Sequence, residues 1–382
     1  MIISALTGEK IEEPIYSSKS GRSITSLSQV HNGNTRVYYD SSIGHLQTNE
    51  IADLDKYYDE EYQIFDESDE DDILYKIIDG KKMFRQQHQV DTLFSKVEIR
   101  PGLKILDYGC AKGTVLKRLY AQVPDIVPYL FDVSKMYVRL WGKFVKPEQY
   151  ASYTPKKEWE HLFDIVTSFF AFEHTPDPLK ELDSIKNLLR PGGLVYMIVP
   201  NVYENIGDFI VADHIHHYSE LSLNFMFSKA GFEIIEIDAS SHFAAYIIIA
   251  RSINSELSFP ADQKKLADIQ SSANDMAKYW ENLQLKISDF EHSVSDKKAA
   301  IYGAGVYGTF IASSLKDINK IQCFIDQNPL CQGKTIMGKP VVLPENRPEE
   351  INVMYVGLNP KSAKNSIESL GWQLNNQSIF YL

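Results

Sequence analysis

Apolar positions recur along the chain with two alternating periods. Short apolar runs rich in β-branched residues predict strands at Lys104–Asp107, Val127–Asp132, Phe163–Ser168, Gly193–Pro200, Phe232–Asp238 and Phe243–Ala250. Between them, apolar residues three or four apart predict helices at Val115–Val123, Met136–Phe144, Pro178–Leu189 and Ser222–Ala230. A further helical pattern precedes the series at Ile73–Phe94. Strands and helices in alternation mean a parallel sheet with helices on both faces, an α/β fold.

The flanks read differently. Residues 1 to about 55 alternate short β-like stretches with turn residues, as in Arg36–Tyr39 after His31-Asn-Gly-Asn34. Ile51–Asp72 is acidic and rich in tyrosine, the pattern of a solvated face or a lid. Downstream, Leu266, Ile269, Ala273, Met276, Trp280, Leu283 and Ile287 form one apolar helix face within 252–296. That face predicts a connector packed on both neighbours. A second, shorter α/β unit occupies 297–382, with strands at Ala299–Tyr302 and Gln322–Asp326.

Charge and cysteine content narrow the chemistry. With 51 acids against 39 bases the formal charge is −12, which leaves no basic face for nucleic acid or anionic lipid. The three cysteines form no C-x-x-C pair, so no zinc ribbon or disulfide framework is expected. The longest apolar run, Phe243–Ala250, is far short of a membrane span. The first residues lack the basic start of a signal peptide. A cytoplasmic protein without membrane insertion is expected; nothing here sets an oligomeric state.

Asp107-Tyr-Gly-Cys-Ala-Lys-Gly113 joins a strand to a helix, and small residues at Gly109, Ala111 and Gly113 let backbone pass close beneath a ligand. Asp132 ends the next strand 19 residues beyond Gly113, where a carboxylate can accept from ribose hydroxyls. This loop, the Phe163-Asp-Ile-Val strand and the Leu188-Leu-Arg-Pro-Gly-Gly-Leu-Val195 turn resemble class I methyltransferases that use S-adenosylmethionine (SAM). The resemblance implies a Rossmann-like core over 73–251 with SAM as cofactor. Asp107, Gly109, Ala111 and Gly113 would then line its methionine part, Asp132 would hold the ribose, and Phe131 and Val133 would flank the adenine. From the tyrosine-rich segment, Tyr57, Tyr58 and Tyr62 are the candidates to cover the cofactor, packing of a lid helix being the alternative.

Two histidine-bearing loops follow predicted strand ends, Phe170-Ala-Phe-Glu-His174 and Asp213-His-Ile-His-His-Tyr-Ser219. Imidazoles there suit general-base work near neutral pH, and His174, Asp213, His214 and His217 are the catalytic candidates. His214, His216 and His217 also form a conceivable ligand set, but methyl transfer from SAM requires no metal and none is expected.

Tyr302-Gly-Ala-Gly-Val-Tyr-Gly308 repeats the strand-loop-helix pattern, with Asp326 lying 18 residues on. Together with Asp326-Gln-Asn-Pro-Leu-Cys-Gln-Gly-Lys334 and Gly338-Lys-Pro-Val-Val-Leu-Pro344, it is similar to the C-terminal domain of bacterial sugar C-methyltransferases. Those enzymes open with a zinc ribbon. Here Ser17, Ser20, Asp40 and Ile43 stand at the thiolate positions, so 1–72 is expected as a ribbon-like or lid segment held by packing. The resemblance implies methyl transfer to a sugar, in particular a nucleotide-linked keto-deoxysugar. Sugar or polysaccharide O-methylation, NAD-dependent oxidation and non-catalytic binding are the alternatives.

Overall fold

The computed structural model describes residues 1–51, 57, 74–78, 81–253, 255, 257–294, 297–328, 331–370 and 378–382; Tyr58 and Tyr62 lie outside them. Seven strands make the central sheet: β1 (Lys104–Tyr108), β2 (Val127–Asp132), β3 (Tyr150–Ser152), β4 (Phe163–Phe169), β5 (Leu189–Pro200), β6 (Phe232–Asp238) and β7 (Ala245–Ser252). Their order is β3-β2-β1-β4-β5-β7-β6, parallel except that β7 runs antiparallel to both β5 and β6. Val195, Tyr196, Met197, Ile198 and Val199 in β5 are all buried, as a strand covered on both faces requires. The strand order reverses beside β1, so a crevice opens there beyond the C-terminal strand ends.

Helices α1 (Arg85–Lys96), α2 (Thr114–Gln122), α3 (Pro178–Leu188) and α4 (Glu220–Lys229) accompany the sheet. Asp177 caps α3 by accepting from the Lys180 N–H, and Pro178 presets its first turn. Two expectations change. Ile73–Phe94 is not one helix, because Leu74–Ile78 pairs antiparallel with Lys81–Phe84 before α1 begins. Asp79-Gly80 between them lies outside the described residues. Within Met136–Phe144 only Val138–Trp141 is α-helical.

The second sheet comprises β8 (Ala299–Tyr302), β9 (Ile321–Ile325), β10 (Thr335–Ile336), β11 (Lys339–Val342), β12 (Val353–Val356) and β13 (Ser378–Tyr381), ordered β10-β11-β9-β8-β12-β13. Helix α5 (Gln263–Ser293) precedes it and α6 (Val306–Ser314) follows β8. Asp262 caps α5 through the N–H groups of Lys264 and Lys265. Along α5, Leu266, Ala273, Met276, Trp280, Leu283 and Ile287 are buried. One core joins Tyr16, Val37 and Leu46 of the N-terminal segment to Trp280, Ile301 and Phe310. Each such large side chain contributes roughly 1.5–3 kcal/mol when fully buried.

The N-terminal segment reaches the crevice. Its strands Tyr16–Ser17, Arg36–Asp40 and His45–Thr48 form a four-stranded sheet with His216–His217. Asp40 accepts from Thr7 Oγ1 at 2.6 Å and from Ser42, while Ile43 is buried, so hydrogen bonding and packing hold this turn. Among the described residues no helix is long and apolar enough to cross a membrane.

Candidate active site

The first glycine loop is shaped by backbone that only small residues tolerate. Gly109, Ala111 and Gly113 take left-handed φ values of 75°, 45° and 69°. A Cβ on Gly109 would stand 2.6 Å from the Ala171 Cβ, and one on Gly113 3.0 Å from Leu130. Gly109 therefore lets the segment after β4 lie close on the loop, whereas Gly113 lets α2 lie close on β2.

Asp132 holds this loop from the end of β2. One carboxylate oxygen accepts from the Ala111 N–H at 2.7 Å and the other from the Ser134 N–H at 3.0 Å. Trp141 Nε1 donates to the Ala111 carbonyl at 2.7 Å. Asp107 is buried and accepts from Thr167 Oγ1 at 3.2 Å; burial pushes its pKa up to about 7. Asp107, Gly109, Ala111, Asp132 and the exposed Val133 line one cleft. Phe131 does not. Its ring is buried against Tyr108, with centroids 4.6 Å apart, and it serves the loop through its carbonyl, which accepts from Gly109 and Cys110. Neighbouring residues of a strand face opposite sides, so Asp132 and Phe131 cannot share the cleft.

The histidine loops meet across the same cleft. Residues Phe172–His174 form a single 3₁₀ turn after β4, and Asp208–Ile210 another in the loop after β5. Asp208 organises the site. It accepts from His214 Nδ1 at 2.5 Å and from His217 Nδ1 at 2.8 Å. Burial disfavours the Asp208 carboxylate, but His214 and His217 outweigh it and hold the pKa below the usual range. Burial likewise opposes charge on His214, yet Asp208 prevails and raises its pKa to about 9.

The carboxylate bonded to His214 is that of Asp208 and not that of its neighbour Asp213. Asp213 turns away and accepts from Ser26 N–H and Oγ–H, both at 2.7 Å, and from the Tyr57 hydroxyl at 3.2 Å. The Asp213 carbonyl accepts from His174 Nδ1 at 2.8 Å. A carbonyl only accepts, so the neutral His174 ring carries its lone pair on Nε2. Burial, then the charge of His214, lower the His174 pKa to about 4. His217 is fully enclosed, with Nδ1 on Asp208 and Nε2 on Thr48 Oγ1 at 2.9 Å, and is absent from the cleft wall. Its place is to position Asp208. Glu173, unremarked in the sequence, lines the cleft beside His174 and His214, and burial pushes its pKa up to about 7.

The wall continues into the second sheet. Asp326 Oδ2 accepts from the Ala304 N–H at 2.7 Å, and Ala304, Gly305, Val306, Tyr307, Asp326 and Lys334 line the far end of the cleft, whose volume is about 1230 Å³. Tyr307 also links the two halves. Its hydroxyl accepts from the Gly207 N–H at 3.1 Å and donates to Asn205 Oδ1 at 3.0 Å, next to Asp208.

Residues 82–237 match the family model described as a methyltransferase domain. This segment thus has the sequence character of a methyltransferase domain. The ubiquinone biosynthesis O-methyltransferase of Xanthomonas campestris pv. campestris is 31% identical over 123 residues, covering 30% of this chain and 49% of that protein. Its counterpart in Aliivibrio fischeri is 26% identical over 139 residues, covering 34% and 58%. The chain thus spans about half the length of the curated relatives it matches. A SAM-dependent methyltransferase from Aquifex aeolicus aligns with a TM-score of 0.36 at 19% identity, over 44% of this chain and 92% of that one. The cleft fits the donor chemically. Asp107 and Asp132, which line it with Gly109, are the carboxylates that would meet the cationic and hydroxyl groups of SAM.

Proposed function

We propose that this chain transfers a methyl group from SAM to a sugar acceptor linked to a nucleotide, in the cleft between its two α/β units. The observation that carries this reading is the continuity of the cleft. The first glycine loop, the Glu173–His174–His214 cluster and the second glycine loop line it in turn. At about 1230 Å³ it exceeds the roughly 300–1,000 Å³ of a typical small-molecule site, leaving room for donor and acceptor together. The second loop would grip the nucleotide and so place the sugar at the histidines.

When bound, SAM supplies an electrophilic methyl carbon. His174 Nε2 takes the acceptor's proton, and His214, kept protonated by Asp208, donates from Nε2 to the oxygen on which negative charge develops. With a keto sugar, the proton leaves the carbon beside the carbonyl, the electron pair spreads onto that oxygen, and the carbon then takes the methyl. With a hydroxyl acceptor the same base acts on O–H. The naming of the relatives as O-methyltransferases favours that second reading.

Calorimetric titration with SAM and separately with NAD tests the donor. Micromolar SAM binding that disappears in Asp132→Ala is expected, and its absence in the wild-type protein would end the proposal. Methyl incorporation into nucleotide-linked 4-keto sugars but not their 4-hydroxy forms would establish carbon as the acceptor. The reverse pattern would establish oxygen.

A further inference from the structure

Three side chains at the base of the cleft have an arrangement that the methyl-transfer reading does not require. Glu173, His174 and His214 each offer a ligand atom, and these atoms lie within 4.8 Å of one another. All three residues line the cleft. Glu173 is buried, and among the described residues its Oε2 has no hydrogen-bond partner, which is costly for a carboxylate removed from water. The two imidazoles stand edge to face, with centroids 4.7 Å apart. Each is fixed through Nδ1, His174 on the Asp213 carbonyl at 2.8 Å and His214 on the Asp208 carboxylate at 2.5 Å. Protein ligands to metals are oriented in this way, with the far nitrogen of the ring tied to a carbonyl or carboxylate.

We propose that Glu173, His174 and His214 form a binding site for one divalent first-row transition-metal ion, of which Zn²⁺ is the probe of choice. Two imidazoles and one carboxylate, without a thiolate, suit such an ion better than Mg²⁺ or Ca²⁺. Metal–ligand distances near 2.0–2.2 Å place tetrahedral ligand atoms about 3.4 Å apart, so each group moves inward by less than about 1 Å. Asp208 and Asp213 add negative charge behind the two rings. With each Nδ1 engaged, the ion is held through Nε2 of His174 and Nε2 of His214, and it displaces the proton from His214 while its Nδ1–H stays on Asp208.

Occupancy has a consequence that rests on the methyl-transfer reading. The ion takes the lone pair that His174 would use as base and the nitrogen through which His214 would donate, so a loaded enzyme is inhibited.

Binding itself is measured without SAM or acceptor, by calorimetric titration of the full chain with Zn²⁺ in a Cys331→Ser background that removes the partly exposed thiol. One ion per chain is expected. Glu173→Gln should weaken it at least tenfold, and Asp208→Asn about 10–100-fold through loss of ring orientation. Co²⁺ absorption in the visible provides a second readout in the same proteins, and retained SAM binding verifies that each variant is folded. Absence of binding to the folded parent, or binding unchanged in Glu173→Gln and His214→Ala, would overturn the site. If the ion binds but stimulates transfer, with EDTA reversing the effect, the site stands and the assignment of His174 as base is overturned.

Discussion

The two glycine loops of this chain are built on the same hydrogen bonds and differ in chemistry. In the first, Gly109 N–H donates to the Phe131 carbonyl at 2.9 Å and Ala111 N–H to Asp132 at 2.7 Å. In the second, Gly303 N–H donates to the Ile325 carbonyl at 2.8 Å and Ala304 N–H to Asp326 at 2.7 Å. Each acid also accepts from the N–H two residues on, Ser134 and Asn328. The contact between loop and acid is therefore a property of the strand–loop–strand geometry and does not by itself identify a cofactor. The difference lies two residues before the first glycine, where the first loop has the buried Asp107 and the second has Ile301. The second loop is also closed by glycine contacts, since a Cβ on Gly308 would lie 1.9 Å from the Gly303 carbonyl oxygen. On the proposed reading, a cationic donor would meet an added carboxylate in the first loop only.

Erasing that difference has the largest expected effect. Asp107→Ile gives the first loop the side chain of the second, and SAM affinity should fall roughly 10–100-fold, the range for losing one charge-assisted contact of 1.5–3 kcal/mol. Asp326→Ala is the reciprocal test, leaving SAM affinity unchanged and raising the acceptor KM about tenfold. Calorimetry and initial rates separate the two. If Asp107→Ile binds SAM like the wild type, the loops are chemically equivalent and the comparison fails.

A smaller effect is expected where the halves touch. Tyr307 of the second loop bonds Gly207 and Asn205, and its ring lies against Trp280, whose Nε1 donates to the Ile206 carbonyl at 3.0 Å. Both residues brace the turn that carries Asp208. Tyr307→Phe keeps the ring and removes two bonds at about 0.5 kcal/mol each, so kcat should drop about 5-fold with SAM affinity unchanged. A loss appearing wholly in KM would mean that Tyr307 contacts the acceptor and does not position Asp208.

Much of the fold was legible because its signal is local. The strands predicted at Val127–Asp132 and Phe232–Asp238 have those bounds in the structure, since each is an apolar run between turn residues. The alternation around Asp107, Asp132 and Asp164 likewise disclosed the sheet. The acceptor side was legible only as a neighbourhood. Asp213 adjoins His214 in sequence, yet the carboxylate that bonds His214 belongs to Asp208, six residues back across a loop whose path no periodicity describes. Glu173 adjoins His174, and its value as a cleft residue depends on burial that a single sequence does not disclose. Phe131 is the instructive miss, because strand alternation opposite Asp132 already placed it in the core.

The subtlest test of the comparison is its pH dependence. Burial raises the Asp107 pKa from 3.8 to about 7, with the hydrogen bond from Thr167 opposing the rise and the charge of Asp132 adding to it. The folded state therefore holds this proton more tightly than the unfolded chain, and between pH 3.8 and about 7 this group's contribution to stability falls as pH rises. A cationic donor prefers the ionised carboxylate. SAM binding below about pH 7 should then release a proton, and its affinity should rise a few-fold per pH unit until Asp107 is ionised, levelling off above. Calorimetry in two buffers of different ionisation enthalpy measures that proton directly. In Asp107→Asn the release should vanish and the profile flatten. The second loop has no such acid, so Asp326→Ala should leave the profile of SAM binding unaltered. A slope that survives Asp107→Asn would assign the proton to another group and remove the chemical distinction between the loops.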